Sequence, residues 1–235
     1  MKEGLQQDIS SKRTLWQKTV LGIKIFVAVF ATLFVAGVIW RMPIVAEQDR
    51  SVEVVKQIEA SRLTLADADG SRLPQGVDEI HANATVEGVD ANSNGIRDDV
   101  ELAIFAKYPI SIATSSASST KPVDTNLKLR AAELQYAKAL QMYLTSVFTK
   151  ETLVATANQV GRGYSCLGDV VESPAIDAPE SLWRLYDTEI KKFREEVKAL
   201  VLNTLSRQSR YEEVFEKYMT SHALSDEQEC DLLLN

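Results

Sequence analysis

Apolar residues form one long run near the N-terminus and recur at helical spacing in the rest of the chain. The run extends from Val20 to Trp40 and is interrupted only by Lys24. A helix of about 20 apolar residues is long enough to cross the roughly 30 Å hydrocarbon core of a membrane. Trp16 and Trp40 bracket the run, as aromatic residues do at membrane interfaces. We predict a transmembrane signal anchor over residues 20–40, in contact with membrane lipid.

Basic residues favour the N-terminal side of this segment. Those nearest to it are Lys12, Arg13 and Lys18 before the run, and Arg41 and Arg50 after it. Because cytoplasmic flanks carry the excess of Lys and Arg, residues 1–19 are predicted to be a cytoplasmic stub and residues 41–235 to lie outside. The alternative is a cleaved signal peptide, with Ile44-Val45-Ala46 as the cleavage site. Signal peptides have a shorter apolar region, which favours the uncleaved anchor.

The rest of the chain predicts helices, since strand-like alternation is nearly absent. The clearest apolar stripes at helical spacing are Leu129, Ala132, Tyr136, Leu140, Tyr143 and Val147, and Leu182, Tyr186, Ile190, Phe193, Val197, Leu200 and Val201. We predict a mainly α protein in which a juxtamembrane stalk and loop (41–89) lead into an all-α helical ectodomain (90–235). Gly161-Arg162-Gly163 is expected to break a helix, and the Ser/Thr-rich stretch 111–120 to be a flexible connection.

Composition excludes several classes of function. The net charge of −7 disfavours nucleic-acid binding, which needs clustered Lys and Arg. With only two His and two Cys, a zinc site of the usual Cys/His spacing is effectively excluded. The sequence also shows no nucleophile elbow and no carboxylate pair that can be placed in one cleft. We therefore do not predict an enzyme.

One stretch carries specific chemistry. Asp90–Glu101, with the sequence DANSNGIRDDVE, fits the D-x-[DN]-x-[DN]-G-x5-E pattern of a calcium loop. Calcium prefers six to eight oxygen ligands, and Gly95 stands where such a loop turns with positive φ. The predicted ligands are Asp90, Asn92, Asn94, the main-chain carbonyl of Ile96, Asp98 and Glu101. The alternative is a metal-free turn in which Asx side chains cap their own backbone.

Residues 88–105 resemble a single EF-hand-like loop, and even more the thrombospondin type 3-like calcium repeats of bacterial exported proteins. An EF-hand usually has an aliphatic residue at the eighth position for pairing with a second loop, but here Arg97 is eighth and Ile96 seventh. The resemblance therefore implies an unpaired loop that holds structural Ca²⁺. Two Asn ligands lower the ligand charge, which implies weak affinity suited to a calcium-rich compartment. A second stretch, Asp67-Ala68-Asp69-Gly70, resembles half of such a loop, but we predict a turn there.

The two cysteines, Cys166 and Cys230, both lie in the part predicted to be outside the membrane. A disulfide is expected between them in an oxidising compartment, with a stabilisation of about 4 kcal/mol in the chain-entropy model. Two buried thiols would fit only if the topology were reversed.

Together these features predict a single-pass protein of the bacterial cytoplasmic (inner) membrane, with its C-terminal domain in the periplasm or outside. We expect a calcium-binding helical module with a structural or protein–protein interaction role in the cell envelope. The sequence does not identify its protein partner. The alternatives are a calcium-dependent envelope hydrolase, a membrane-tethered immunity protein against a periplasmic toxin, and a calcium sensor.

Overall fold

A computed structural model describes residues 2–110, 112–113, 123–124, 126–171, 174–219 and 230–234. The helices are α1 (Lys2–Ala60), α2 (Leu65–Ala68), α3 (Glu79–Ala82), α4 (Asp98–Lys107), α5 (Leu127–Thr145), α6 (Lys150–Val170), α7 (Glu180–Val201) and α8 (Leu205–Tyr218). Two short strands, β1 (Ile112–Ala113) and β2 (Val123–Asp124), pair antiparallel. The mainly helical class is confirmed. Apart from β1, the connection predicted at 111–120 lies outside the described residues.

The chain divides into two units, Met1–Arg50 and Ser51–Asn235. The first unit belongs to α1, and its described side chains are exposed, including Phe26 and Trp40. Within the described part of the chain, α1 is the one helix long and apolar enough to cross a membrane, with a mean hydropathy of 2.4 over its most apolar 18 residues. The helix does not end with the apolar run but continues to Ala60.

The second unit begins inside α1 and includes much of the sequence assigned to a stalk and loop. Ile58 and Leu63 are 3% exposed and belong to the core of this unit. The Ser51 hydroxyl lies 2.8 Å from the Thr149 hydroxyl at the start of α6, and the two form a hydrogen bond. The compact part of the protein therefore starts near Ser51, before the predicted calcium loop.

Helix α5 runs through the centre of this unit and packs against α2, α4, α6, α7 and α8. Its predicted apolar stripe is buried from Ala132 to Val147. The sequence predicts one buried face, yet every residue from 130 to 141 is buried. Several of the polar residues among them are paired with main-chain groups elsewhere. Lys138 Nζ donates to the Arg62 carbonyl at 2.8 Å, and Gln141 Nε2 donates to the Glu87 carbonyl at 3.0 Å.

The break predicted at Gly161-Arg162-Gly163 is wrong, because α6 continues through these residues to Val170. Gly163 lies against α5 so closely that a Cβ there would be 3.0 Å from the Tyr136 Cα. Arg162 is buried and donates from Nη2 to Asp231 Oδ1 at 2.8 Å. These residues therefore serve helix packing within a continuous helix.

The C-terminal segment 230–234 is attached to the same core. Cys166 and Cys230 form a disulfide, as the sequence predicts. Next to it, the Asp231 amide donates to Gln135 Oε1 at 2.8 Å, and Asp231 Oδ2 accepts from the Leu63 amide at 2.7 Å. The Asp231 carboxylate, which is 3% exposed, therefore links the C-terminal segment to Leu63, just after α1, and to Arg162 of α6.

Arg207 of α8 is 0% exposed and holds the irregular segment before the loop. Its guanidinium group donates to the carbonyls of Ala82, Thr85 and Val86 and to the side chains of Asn83 and Asn203. Buried carbonyls without a donor are costly. The Arg207 side chain supplies donors to the carbonyls of a stretch that has little regular structure.

We expect Arg207→Lys to lower the free energy of unfolding by about 3 kcal/mol, because an ammonium group cannot reach the same set of carbonyls. Urea unfolding of the full chain in detergent measures this. Arg184→Lys is the matched control, because Arg184 forms an exposed pair with Glu180 and should change stability by less than about 0.5 kcal/mol. Equal effects at the two positions would contradict the role given to Arg207.

Candidate metal centre

The loop predicted to bind calcium connects an irregular approach to α4. The Asp98 amide donates to the Val89 carbonyl at 2.8 Å and closes the loop at its base. Gly95 has φ +85°, as the turn position of such a loop requires. It lies against α5, where a Cβ would be 3.2 Å from Lys138 Cε. Ile96 is 1% exposed and anchors the loop in the core.

Several predicted ligand side chains turn inward to the amides of the loop itself. Asp90 Oδ1 accepts from the Asn94 amide at 3.1 Å, and its Oδ2 accepts from the Gly95 amide at 2.9 Å. Asn94 Oδ1 accepts from the Ile96 amide at 2.8 Å, and Asp98 Oδ1 accepts from the Ala91 amide at 3.0 Å. A metal-free Asx turn has hydrogen bonds of the same kind, so these contacts alone do not distinguish the two alternatives.

Glu101 is the residue that a simple turn does not explain. It is 0% exposed, and its Oε2 accepts from Asn92 Nδ2 at 3.0 Å. Its Oε1 is buried and accepts no hydrogen bond of good geometry from the described residues, although the Asn94 side-chain amide lies close enough to lower the pKa of Glu101. Burial raises the pKa of Glu101 to about 7. A buried carboxylate oxygen without a partner is costly, and a bound cation would remove that cost.

The structure does not by itself establish a metal site. Within the described ranges, no three His, Cys, Asp or Glu side chains are grouped closely enough to hold a metal ion. The loop has three carboxylates, Asp90, Asp98 and Glu101, and its other predicted ligands are two amides and the Ile96 carbonyl. Calcium binding by these six residues therefore stays a prediction.

Arg97, the departure from the EF-hand pattern, has a structural role. Its guanidinium group is buried and forms a two-pronged pair with Asp99, with N···O distances of 2.6 and 2.9 Å. It also donates to the carbonyls of Val201 and Leu200, at 2.9 and 3.0 Å, at the end of α7. A cation at a helix C-terminus is favourable, so Arg97 joins the loop to α7. The spacing of residues within the loop could not predict the contact between Arg97 and the end of α7, because the two lie far apart in the sequence.

The segment around α2 lies against the loop. Asn92 Nδ2 donates to the Arg72 carbonyl at 2.9 Å, and Arg72 Nη2 donates to the Asn92 carbonyl. Asp67 is 1% exposed and caps α2, because its Oδ2 accepts from the amide and the hydroxyl of Thr64 at 2.8 and 2.6 Å. In the half-loop, where the sequence predicts a turn, Asp67 and Ala68 belong to the single-turn helix α2, and Asp69 and Gly70 form the bend after it, beside the predicted calcium loop.

A second buried carboxylate, Glu133, belongs to a separate polar cluster. Glu133 Oε1 accepts from Lys107 Nζ at 2.6 Å and from the Tyr108 hydroxyl at 2.9 Å, and Lys107 also pairs with Glu196 at 2.6 Å. Burial raises the pKa of Glu133, whereas Lys107 lowers it. The cluster joins α4, α5 and α7, and we assign it a structural role.

No protein-family model matches this chain, and neither a curated protein nor a solved structure is significantly similar to it. The chemistry of the site is a set of hard oxygen donors at calcium-loop spacing, with one buried carboxylate oxygen that accepts no hydrogen bond of good geometry from the described part of the chain.

In calcium-free buffer, we expect stability to fall as pH rises from about 4.5 to about 7. The folded state raises the pKa of Glu101 from its ordinary 4.5 to about 7, so the folded protein keeps a proton that the unfolded chain loses. The stabilisation is therefore complete below 4.5 and is lost as pH passes the folded pKa. Urea unfolding across this range should show a steeper loss for the parent than for Glu101→Gln. Glu59→Gln, at an exposed position, should follow the parent. If the free energy of unfolding changed with pH in the same way for the parent and for Glu101→Gln, the raised pKa of the buried Glu101 carboxyl would be contradicted.

Proposed function

We propose that this chain is a single-pass membrane protein whose C-terminal domain binds one structural calcium ion in the loop Asp90–Glu101. The buried Glu101 Oε1, which accepts no hydrogen bond from the described residues, is the observation that carries the proposal. In a calcium loop, the twelfth residue supplies both carboxylate oxygens to the ion. A cation there would give Oε1 its missing partner.

The donor set suits calcium better than a smaller or softer metal. All six predicted ligands present oxygen, and calcium accepts many oxygen ligands in flexible geometry. Magnesium requires a nearly ideal octahedron and keeps several waters, and zinc favours nitrogen and sulfur donors. The ion would link the irregular approach at Asp90 to the first turn of α4 at Glu101, and so it would act as a structural staple.

Three features support a location on the outer side of the bacterial inner membrane. The N-terminal helix is long and apolar enough to span a membrane, and basic residues favour its N-terminal flank. The disulfide between Cys166 and Cys230 is typical of an oxidising compartment. Such a compartment is also rich in calcium, which suits a site that stays occupied.

These features fit a structural role, or a role in which the domain presents a helical surface to another protein in the envelope. The N-terminal half of α7 exposes Leu182 and Leu185, at 48% and 66%. Trp183, between them, is half-buried. Exposed apolar residues of this kind favour an interaction surface.

We expect millimolar calcium to raise the melting temperature of the oxidised full chain in detergent by about 5 °C or more relative to chelator, because a ligand that binds only the folded state stabilises it by mass action. Asp90→Ala and Glu101→Ala should abolish the shift. Asp187→Ala, at an exposed position on α7, should retain it. A parent protein that melts at the same temperature with and without calcium would refute the proposed function.

The topology predicts which parts of the chain a protease reaches. When a protease is added to spheroplasts that express an N-terminally tagged chain, we expect the C-terminal domain to be digested and a tagged fragment of the anchor to survive. In inside-out vesicles, the domain should be protected until detergent is added. Protection in spheroplasts and digestion in inside-out vesicles would show the reverse orientation.

A further inference from the structure

Asp67 resembles Glu101 in having one buried oxygen that is not hydrogen-bonded. Its Oδ2 is occupied by the cap of α2, but its Oδ1 accepts no hydrogen bond within the described ranges. Oδ1 is 3.4 Å from Arg72 Nη1, with which it forms an ion pair. The Asp67 side chain is 2% exposed, whereas that of Arg72 is 44% exposed. Water is therefore a poor partner for Oδ1.

Contacts between Arg72 and Asn92 place Asp67 on the side of the calcium loop. Asn92 Nδ2 donates both to the Arg72 carbonyl and to Glu101 Oε2, at 2.9 and 3.0 Å. Arg72, in turn, pairs with Asp67. Two long-range effects agree with this placement: the charge of Asp67 adds to the burial that raises the pKa of Glu101, and it acts on Lys138, whose stem covers Gly95.

We propose that Asp67 supplies a carboxylate oxygen, Oδ1, to the calcium ion of the loop from outside the twelve-residue motif. This inference rests on the proposed function. Calcium accepts up to eight ligands in flexible geometry, so one more oxygen can be accommodated. Asn at positions 92 and 94 leaves the loop with three carboxylates, and Asp67 would be a fourth. No three of these carboxylates are grouped around one point in the described structure, so calcium would have to draw them together. Because ligand charge tunes calcium affinity, the site binds more tightly than the loop alone implies.

Arg72 is then a competitor of the ion. Its guanidinium group neutralises Asp67 in the calcium-free protein, and it must give up that pairing when Oδ1 turns to calcium. Removing its charge therefore favours binding, but only while the Asp67 carboxylate is present. A double-mutant cycle between the two positions isolates this coupling.

The test measures calcium affinity by titration calorimetry on the full chain in detergent. We expect Asp67→Asn to weaken binding by about tenfold or more, since it removes a charged ligand. Asp69→Asn is the matched control in the same turn and should bind within about twofold of the parent, since Asp69 Oδ1 caps only the Ser71 amide. Arg72→Gln should tighten binding in the parent and have no effect beside Asp67→Asn.

Two further measurements separate ligation from folding and from charge alone. Thr64→Val removes a hydroxyl bond to Asp67 and keeps the carboxylate, so it should leave the affinity within about twofold. With Eu³⁺ as probe, luminescence lifetimes in H₂O and D₂O count the waters on the ion. We expect about one more water in Asp67→Asn than in the parent, because a lost oxygen ligand is replaced by solvent.

The outcomes distinguish this inference from the proposed function. If the parent binds calcium and Asp67→Asn binds equally well, the inference is overturned and the calcium loop stands. Weaker binding with an unchanged water count, or an equal loss in Thr64→Val, also overturns ligation by Asp67. If the parent binds no calcium, the proposed function fails and the inference fails with it.

Discussion

The structure depends on satisfying the main-chain polar groups between α1 and α4. This connection has only the two single-turn helices α2 and α3, so most of its N–H and C=O groups need partners outside regular structure. Buried polar side chains from the helices provide them. Arg130 and Lys138 of α5 reach the carbonyls of Ala68 and Arg62, and Arg207 of α8 reaches those further along. The charged residues inside the domain are therefore what fixes an irregular segment on a helical core.

The predicted calcium loop lies at the end of this connection, and there the balance of charge is different. Arg97 is directed away from the loop centre to Asp99 and the end of α7. The carboxylates of Asp90 and Asp98 accept from loop amides, but Glu101 and Asp67 each keep a buried oxygen without a hydrogen bond from the described residues, and that of Asp67 is ion-paired with Arg72 at 3.4 Å. Elsewhere in the connection a side chain supplies the missing partner. In the loop, the partner we propose is a cation.

Periodicity and motif spacing predict much of this protein. The stripes that include Leu140 and Val197 predicted two long helices, because a buried face repeats every three or four residues. What the sequence could not predict depends on tertiary contacts. Gly163 lies within a helix and packs closely against the backbone of α5, and Lys138 and Gln141 of α5 are buried where they donate to distant carbonyls. Asp67 lies in the single-turn helix α2, and its position near the loop depends on how the segment after α2 is held by the contacts between Arg72 and Asn92.

Hydrogen exchange of the full chain in detergent, compared with and without calcium, tests the central claim most directly because it locates the ion. If calcium binds in the loop, the amides of Asn94, Gly95 and Ile96, which already donate to loop oxygens, should exchange more slowly in its presence. The segment from Thr64 to Leu73 should be protected with them. Exchange that is unchanged in Asp90–Glu101, or protection confined to another part of the domain, would contradict a calcium ion held by this loop.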